Sequence, residues 1–269
     1  MQLSIVITHH KTPDLLKLCL DSIKVAGQDL DYEVIVLDSE AEEETGEIIT
    51  DKFPSVKYRP FKENTGYAKI VNIGIKETRG QYVLVLNADM VVEPTALKQL
   101  IDFASANPEV GVIGPQLLNF DGTVQDSCFR WHRLLTIAYR RTWLGQTFFG
   151  RKELKRFAMA DFDRFSTGPV DWVLGAALFT RRQALEQVGL MDERFFLYFE
   201  DTDWCRRFWE KGWQVVYFSG ARMHHYHSRV SKKAAGVLDL FINKYTWVHI
   251  ASALKYFWKW QGKSLPVKN

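Results

Sequence analysis

Cysteine is scarce and badly placed for pairing: Cys19, Cys128 and Cys205 are odd in number and far apart. That excludes a disulfide framework and a C-x-x-C metal site, and a reducing compartment is the simpler reading. Charge of one sign is lacking too. The formal net charge is only +3, and no basic stripe is interleaved with stacking aromatics before roughly the last thirty residues, which sets nucleic-acid binding aside. No apolar run reaches the roughly 20 residues that a bilayer-spanning helix needs. In the aromatic stretch FINKYTWVHIASALKYFWKWQGK, Lys244, His249, Lys255 and Lys259 interrupt every candidate. No charged leader, apolar core and small-residue cleavage site precede LSIVIT, so the expected location is cytoplasmic. Linkers rich in Pro, Gly or Ser, internal repeats and low-complexity runs are also missing. One domain over 1–230 with a helical extension over 231–269 is the economical description.

With 46% hydrophobic residues in a chain of 269 there is enough apolar material for a full core. Its first half alternates short apolar runs with helical stretches, the pattern of a mostly parallel α/β sheet. LSIVIT is a strand. TPDLLKLCLDSIKVA is a helix with Thr12 as N-cap and Pro13 at its first position. YEVIVLD, VKYRPF and QYVLVLN follow as strands, separated by helices over TGEIITDKF and YAKIVNIGIKET. Beyond the helix PTALKQLIDFASANP comes a strand and hairpin, with the turn signal Asp121-Gly122. The basic, aromatic stretch 129–168 reads as irregular helix and loop of the kind that covers an active site. Strand, helix and strand patterns then return up to QVVYF.

Acids end several of these apolar runs. Asp38 closes the second strand, Asn87 and Asp89 the fourth, and Glu200, Asp201 and Asp203 open a helix behind the apolar wall Phe195–Phe199. In a parallel sheet the carboxyl ends of neighbouring strands share one edge, so Asp38 and Asp89 are expected to face a common crevice. Period-two alternation puts Asn87 and Asp89 on one side with Ala88 opposite, an oxygen set suited to Mg²⁺ or Mn²⁺ together with substrate phosphates. Each acid also has a plainer role as a turn or helix cap. The helix-start acids gain from the dipole, while their apolar flank suits a general base. His224, His225 and His227 follow the last strand, with His225 and His227 on one face if the strand continues, and a neutral imidazole is a metal ligand. For the lysine- and tryptophan-bearing C-terminal helix, two readings stand side by side: lying on an anionic membrane, or packing on the domain or a second subunit.

In their order along the chain, SIVIT, EVIVLDSEA, NTGYAKIVNIGI, GQYVLVLNADMVVEP, VDWVLGAALFTRRQALEQVGLMDERFFLYFEDTDWCRR and ARMHHYH resemble glycosyltransferase family 2, the inverting GT-A group. Within it, the chain is similar to bacterial rhamnosyltransferases of cell-surface polysaccharide assembly. The resemblance implies a GT-A fold and a nucleoside-diphosphate sugar donor, with dTDP-rhamnose first and a UDP hexose next. It also implies a saccharide or lipid-linked acceptor and an Mn²⁺ or Mg²⁺ cofactor. Carried over residue by residue, Thr8, His10 and Asp38 would hold the nucleobase, and Asn64, Gly66, Asn72 and Asn87 would lie along the nucleotide. Asp89 would bind metal, completed by His225 with His227 as the near alternative. Asp171, Trp172 and Gly175 would line the sugar and acceptor pocket, and Asp201, beside Glu200, would be the base. Two departures bear on donor and metal: His9 and His10 stand where relatives carry Asn or Tyr-Asn, and Asn87 stands at the first Asp of D-x-D. A nucleotidyltransferase would need a glycine-rich basic loop after the first strand, which THHKTPD lacks. A catalytically silent nucleotide-binding subunit is the non-enzymatic rival.

Overall fold

The computed structural model describes residues 1–226 and 244–266. In chain order the first half runs β1 (Leu3–His9), α1 (Pro13–Ala26), β2 (Tyr32–Ser39), α2 (Glu43–Lys52), β3 (Lys57–Phe61), α3 (Tyr67–Lys76), β4 (Tyr82–Asn87), β5 (Met90–Val92), α4 (Ala96–Ala106) and β6 (Val110–Leu118). The second half runs β7 (Cys128–Phe129), α5 (Leu134–Arg141), a 3₁₀ turn (Trp143–Gln146), α6 (Phe148–Phe157), β8 (Gly168–Pro169), β9 (Trp172–Val173), β10 (Ala177–Arg181), α7 (Arg182–Val188), α8 (Glu200–Glu210), β11 (Gln214–His225) and α9 (Lys244–Lys259). The main sheet has the order β3-β2-β1-β4-β10-β6-β11-β5, with β8 also paired to β11. Strands β3, β2, β1 and β4 are mutually parallel, β10 is antiparallel to both β4 and β6, and β11 runs parallel to β6. A small second sheet pairs β7 with β9.

Both faces of the sheet are covered, which is why its strands read as unbroken apolar runs rather than alternating ones. On β1 and β4, Ile5, Ile7, Leu84 and Leu86 enter one cluster with the buried faces of α1 and α4. Their neighbours Val6, Val83 and Val85 enter the other, beneath α3, α7 and α8. Pro13 stands at the start of α1 as expected, but the Thr12 side chain makes no capping bond. The second helix starts at Glu43, two residues ahead of the expected span, with Glu43 and Glu44 in its first turn where the helix dipole favours acids. The Asp121-Gly122 turn is present, with Gly122 at φ +82° and a bridge between Leu118 and Val124.

Two expectations change. Strand β4 ends at Asn87, and Ala88 and Asp89 form a turn into β5, so strand alternation does not carry through to Asp89. The stretch 129–168 is more ordered than its weak periodicity suggested, holding α5, the 3₁₀ turn and α6. The C-terminal helix packs on the domain body: Ala253, Tyr256 and Trp260 bury against Phe195 and Phe199. Asp203, fully buried at the start of α8, accepts from Lys259, Arg207 and the Trp260 indole at 2.7–3.0 Å. Among the described residues no helix is long and apolar enough to cross a membrane.

Candidate active site

The carboxyl ends of β1, β2 and β4 meet at one edge of the sheet. There His9 Nδ1 lies 2.7 Å from Asp38 Oδ1, and both side chains are buried. The Thr12 backbone N–H donates to His9 Nε2 at 3.0 Å, so Nε2 carries the lone pair and Nδ1 the proton given to Asp38. The second Asp38 oxygen accepts the Tyr58 hydroxyl at 2.7 Å. Burial, and then the Asp38 carboxylate, hold that hydroxyl well above its ordinary pKa and keep it a donor. Asp38 is therefore sealed, and His9, its ring buried and held through both nitrogens, lies in the floor of the space above.

That space is a cavity of ≈ 340 Å³, and six of the expected residues line it: Thr8, His10, Asn64, Gly66, Asn87 and Asp89. His9, Thr12, Tyr67, Phe196, Leu197 and Tyr245 complete much of the wall, so α9 contributes a side chain through Tyr245. The Asn64 side chain accepts from Gly66 N–H at 3.0 Å, and the Thr8 hydroxyl donates to Asn87 Oδ1 at 3.2 Å. Gly66 sits at φ +90°, and a Cβ there would lie 2.7 Å from the Phe196 ring and 2.9 Å from its carbonyl oxygen. Only glycine lets the Phe196 loop close onto α3, where the Tyr67 N–H binds the Phe196 carbonyl at 2.7 Å.

Asp89 projects from the turn after β4. Its Oδ1 is buried without a hydrogen-bond partner and lies 3.5 Å from His225 Nε2. Burial raises its pKa to about 6. Gln125 fixes the imidazole: its amide nitrogen donates to Asn119 Oδ1 at 2.8 Å and to the His225 carbonyl at 2.9 Å. Its oxygen must then face His225 Nδ1, 3.0 Å away, which places the Nδ1 proton on that side and turns the Nε2 lone pair toward Asp89. A buried carboxylate oxygen without a donor, facing an imidazole lone pair, is a donor set that fits a divalent cation. Among the described residues no group of three or more His, Cys, Asp and Glu converges on such an ion. Asp89 and His225 would leave the remaining coordination of such an ion to phosphate oxygens and water. His227 lies outside the described residues.

The acid pair stands at the start of α8, behind Tyr198 and Phe199, both at φ +69°. Two successive bulky residues in the left-handed region are strained, and strain of this kind gathers at functional sites. Glu200 and Asp201 are buried. Asp201 accepts backbone N–H groups on both oxygens, Gly175 at 3.0 Å and Thr202 at 2.7 Å, whereas Glu200 Oε2 is buried without a partner. Burial raises both pKa values, and the neighbouring Asp201 charge raises Glu200 further, while the N–H donors pull Asp201 back. A proton retained by the pair therefore rests preferentially on Glu200, with Asp201 the stronger acid of the two. Tyr67 joins this pair to the cation site: its hydroxyl donates to the Gly175 carbonyl at 2.6 Å. Burial, and then the charges of Glu200, Asp201 and Asp89, raise its pKa.

Other expected residues act from behind the cavity. Asn72 is buried and clamps the loop after α7, bonding Met191 through both N–H and carbonyl and Glu193 through its carboxylate. Asp171 accepts the Trp131 N–H at 2.5 Å, and Trp172 stacks between Phe129 and His132 at centroid distances of 4.5 and 5.4 Å. Sequence reasoning missed Tyr58, Tyr67 and Gln125 and placed His9 only within the Thr8–His10 strand end expected at the nucleobase. For Tyr67 the local signal was its place in NTGYAKIVNIGI, and for His9 the His9-His10 departure.

Comparison with known proteins follows the same line. The sequence model described as "Glycosyl transferase family 2" matches residues 4–164. The N-acetylglucosaminyl-diphospho-decaprenol L-rhamnosyltransferase of Mycobacterium tuberculosis is 28% identical over 267 residues, 95% of this chain and 85% of the relative. The O-antigen biosynthesis protein RfbC of Myxococcus xanthus is 27% identical over 88% of this chain, which spans only 18% of that protein. Among solved structures, GalNAc-T7 with UDP, GalNAc and Mn²⁺ superposes with a TM-score of 0.61 at 15% identity, over 83% of this chain and 43% of that one. S. aureus TarS 1-349 gives 0.55 at 15% identity, over 84% and 60%. These structural likenesses show the GT-A fold, with this chain spanning less than two thirds of either. With the family match running from the first strand through the Asp89 turn and on to residue 164, the chain belongs to glycosyl transferase family 2 and is a glycosyltransferase.

Proposed function

We propose that the chain transfers a sugar, rhamnose as first choice, from a nucleoside-diphosphate donor to a lipid-linked saccharide with inversion at the anomeric carbon. The observation that carries this reading is Asp89 on the wall of the cavity with His225 3.5 Å away, beside Tyr67, whose hydroxyl bonds the carbonyl of Gly175, the residue whose N–H meets Asp201. In it, His9, His10, Thr8 and Asn64 receive the nucleoside, with Asp38 and Tyr58 orienting His9 from below and Asn72 bracing the adjoining loop. Asp89 and His225 would hold Mn²⁺ or Mg²⁺ beside the donor diphosphate. When bound, such an ion supplies positive charge to the departing diphosphate. Asp201, kept ionised by its two N–H donors, takes the proton of the acceptor hydroxyl as that oxygen attacks. Glu200 carries a proton beside it and supplies no second base. Asp171 and Trp172 shape the acceptor side.

For the donor, dTDP comes first and UDP second. The rhamnosyl activity and lipid-diphosphate acceptor in the name of the mycobacterial relative support the first choice, as UDP and Mn²⁺ in the GalNAc-T7 structure support a nucleotide bound through a cation. A lipid-borne acceptor places the enzyme on the inner face of the cell membrane by peripheral contact. The test is a thermal-shift screen of nucleoside diphosphates with and without Mn²⁺: dTDP or UDP raises the melting temperature only with the ion, because a ligand that binds the folded form stabilises it by mass action. No shift with any nucleotide in Mn²⁺ refutes the reading.

A further inference from the structure

Contrary to the expectation that no basic, aromatic stripe precedes the last thirty residues, the segment from Arg130 to Arg156 carries eight Lys and Arg residues against one acid, Glu153. That is a formal +7 within a chain whose total is +3, so the rest of the molecule is net acidic. The one acid is spent internally: Glu153 accepts from Arg156 at 2.6 Å and from the Thr136 hydroxyl at 2.5 Å, with Arg133 3.3 Å away. These contacts tie α5 to α6. The bend between them is tight, since a Cβ on Gly145 would strike the Tyr139 carbonyl and one on Gly150 the Leu144 carbonyl. The elbow is a rigid preformed unit, anchored inward by Thr136 and Phe157.

Its outer side is apolar. Leu134, Leu135, Trp143, Phe148 and Phe149 are each 60–73% exposed, far more than single surface hydrophobics in a soluble face require. Among them stand exposed Arg133, Arg140, Arg151, Lys152 and Lys155. Ile137 of α5 packs into the cluster that seats α9, so the elbow adjoins the helix bearing exposed Trp247 and Trp258. Large apolar side chains projecting between Lys and Arg are the composition of an interfacial anchor, with rings in the acyl boundary and cations at anionic headgroups. A second copy of this chain fits poorly, because a two-fold contact through this face would set exposed Arg133, Arg151, Lys152 and Lys155 against the same cations of the other copy.

We propose that the α5–α6 elbow, rather than the C-terminal helix alone, docks the enzyme on an anionic lipid bilayer. This extends the lipid-linked acceptor reading, yet its test depends on neither sugar nor nucleotide. The full chain is sedimented with vesicles of phosphatidylcholine alone or mixed with phosphatidylglycerol. The expected result is binding to the mixed vesicles that weakens as salt is raised and little binding to the neutral ones. R151Q/K152Q/K155Q reduces partition by about a hundredfold, at about fivefold per charge, and F148S/F149S by about tenfold or more. Both variants keep the wild-type melting temperature and whatever nucleotide and Mn²⁺ shift the wild type gives, so a lost shift in the wild type indicts the donor reading and not this one. Three results overturn the proposal: no binding to anionic vesicles, wild-type binding by both variants, or a concentration-dependent dimer that F148S/F149S dissociates.

Discussion

Replacing Asp89 by Asn raises the stability of the metal-free protein while abolishing its cation-dependent affinity for nucleotide. Asp89 is held in the folded chain with a pKa of about 6 against an ordinary value of 3.8. At ~1.4 kcal/mol per pKa unit, the ionised carboxylate costs the fold at most about 3 kcal/mol. Its side chain is 24% exposed, little enough for most of that penalty to survive screening by water. A carboxyl whose pKa rises on folding binds its proton more tightly in the native state. The penalty is thus fully present above about pH 6, shrinks as pH falls, and is gone below about 4. Asparagine has no charge to desolvate, and its amide N–H can donate across the 3.5 Å to His225 Nε2. For 269 residues, an unfolding entropy of about 2.1 cal/mol/K per residue converts 3 kcal/mol into roughly 5 °C. Thermal melts of wild type and Asp89→Asn in chelator at pH 8 and pH 4.5 check this: the variant melts about 5 °C higher at pH 8 and only about 2 °C higher at the lower pH. In Mn²⁺ with dTDP or UDP the order reverses, because only the wild type gains ligand stabilisation. A variant equally or less stable at pH 8 without metal, or one that keeps the Mn²⁺-dependent nucleotide shift, refutes the reasoning.

Asp201→Asn lowers kcat by about 10²- to 10⁴-fold and leaves nucleotide binding in place. Glu200→Gln, which mimics the proton-bearing acid, keeps most activity, and equal losses in steady-state assays would remove Asp201 from the role of base. The same pair gives the pH profile its acid limb: kcat/KM falls as pH drops through a value above the ordinary Asp range, since burial raises Asp201 and only its anion accepts a proton. Gln125→Leu frees the His225 ring to take the other tautomer and weakens Mn²⁺ binding by about 10- to 100-fold, read by titration calorimetry, with the melting temperature in chelator changed far less. Asp203→Ala removes the buried acceptor shared by Lys259, Arg207 and Trp260 and costs about 3 kcal/mol of stability, seen as a denaturant midpoint shift.

The frame of the site was legible because its signals are local. A run such as YVLVLN, apolar on both faces, announces a buried strand, and the acid just beyond it falls at the sheet edge where a crevice forms. Gly66 and the Glu200 cluster were visible for similar reasons, each marking a change of pattern within a few residues. The supporting contacts join positions that no periodicity links. Gln125 and His225 are 100 residues apart, Tyr67 and Gly175 are 108 apart, and His9 meets Asp38 across 29. Asp203 reads in sequence as one more acid at a helix start, and only the arrival of α9, 56 residues later, makes it an anchor. For the elbow, weak periodicity suggested irregular loop because its apolar residues face outward and its helices are fastened by Glu153 instead of by a greasy stripe.

The buried acids divide by the company they keep. Asp38 and Asp203 have every oxygen met by a donor and 0% exposure, so each is already satisfied within the fold. Asp89 and Glu200 each keep an unpartnered buried oxygen, a deficit that the fold tolerates at a cost of order 1–3 kcal/mol apiece. Asp201 lies between, its anion stabilised by two N–H groups yet raised by burial. Tyr198 and Phe199, forced to positive φ just before them, add strain at the same point. Among the buried acids, unmet acceptors therefore mark one line, from Asp89 past Tyr67 to Glu200 and Asp201, with the strained Tyr198 and Phe199 at its far end. A cation there satisfies the first, a retained proton satisfies the second, and an acceptor hydroxyl in front of Asp201 has a base whose charge the fold holds at some expense. Filling the line with ligand should relieve that expense, and the stabilisation on adding Mn²⁺ and nucleotide is its direct measure.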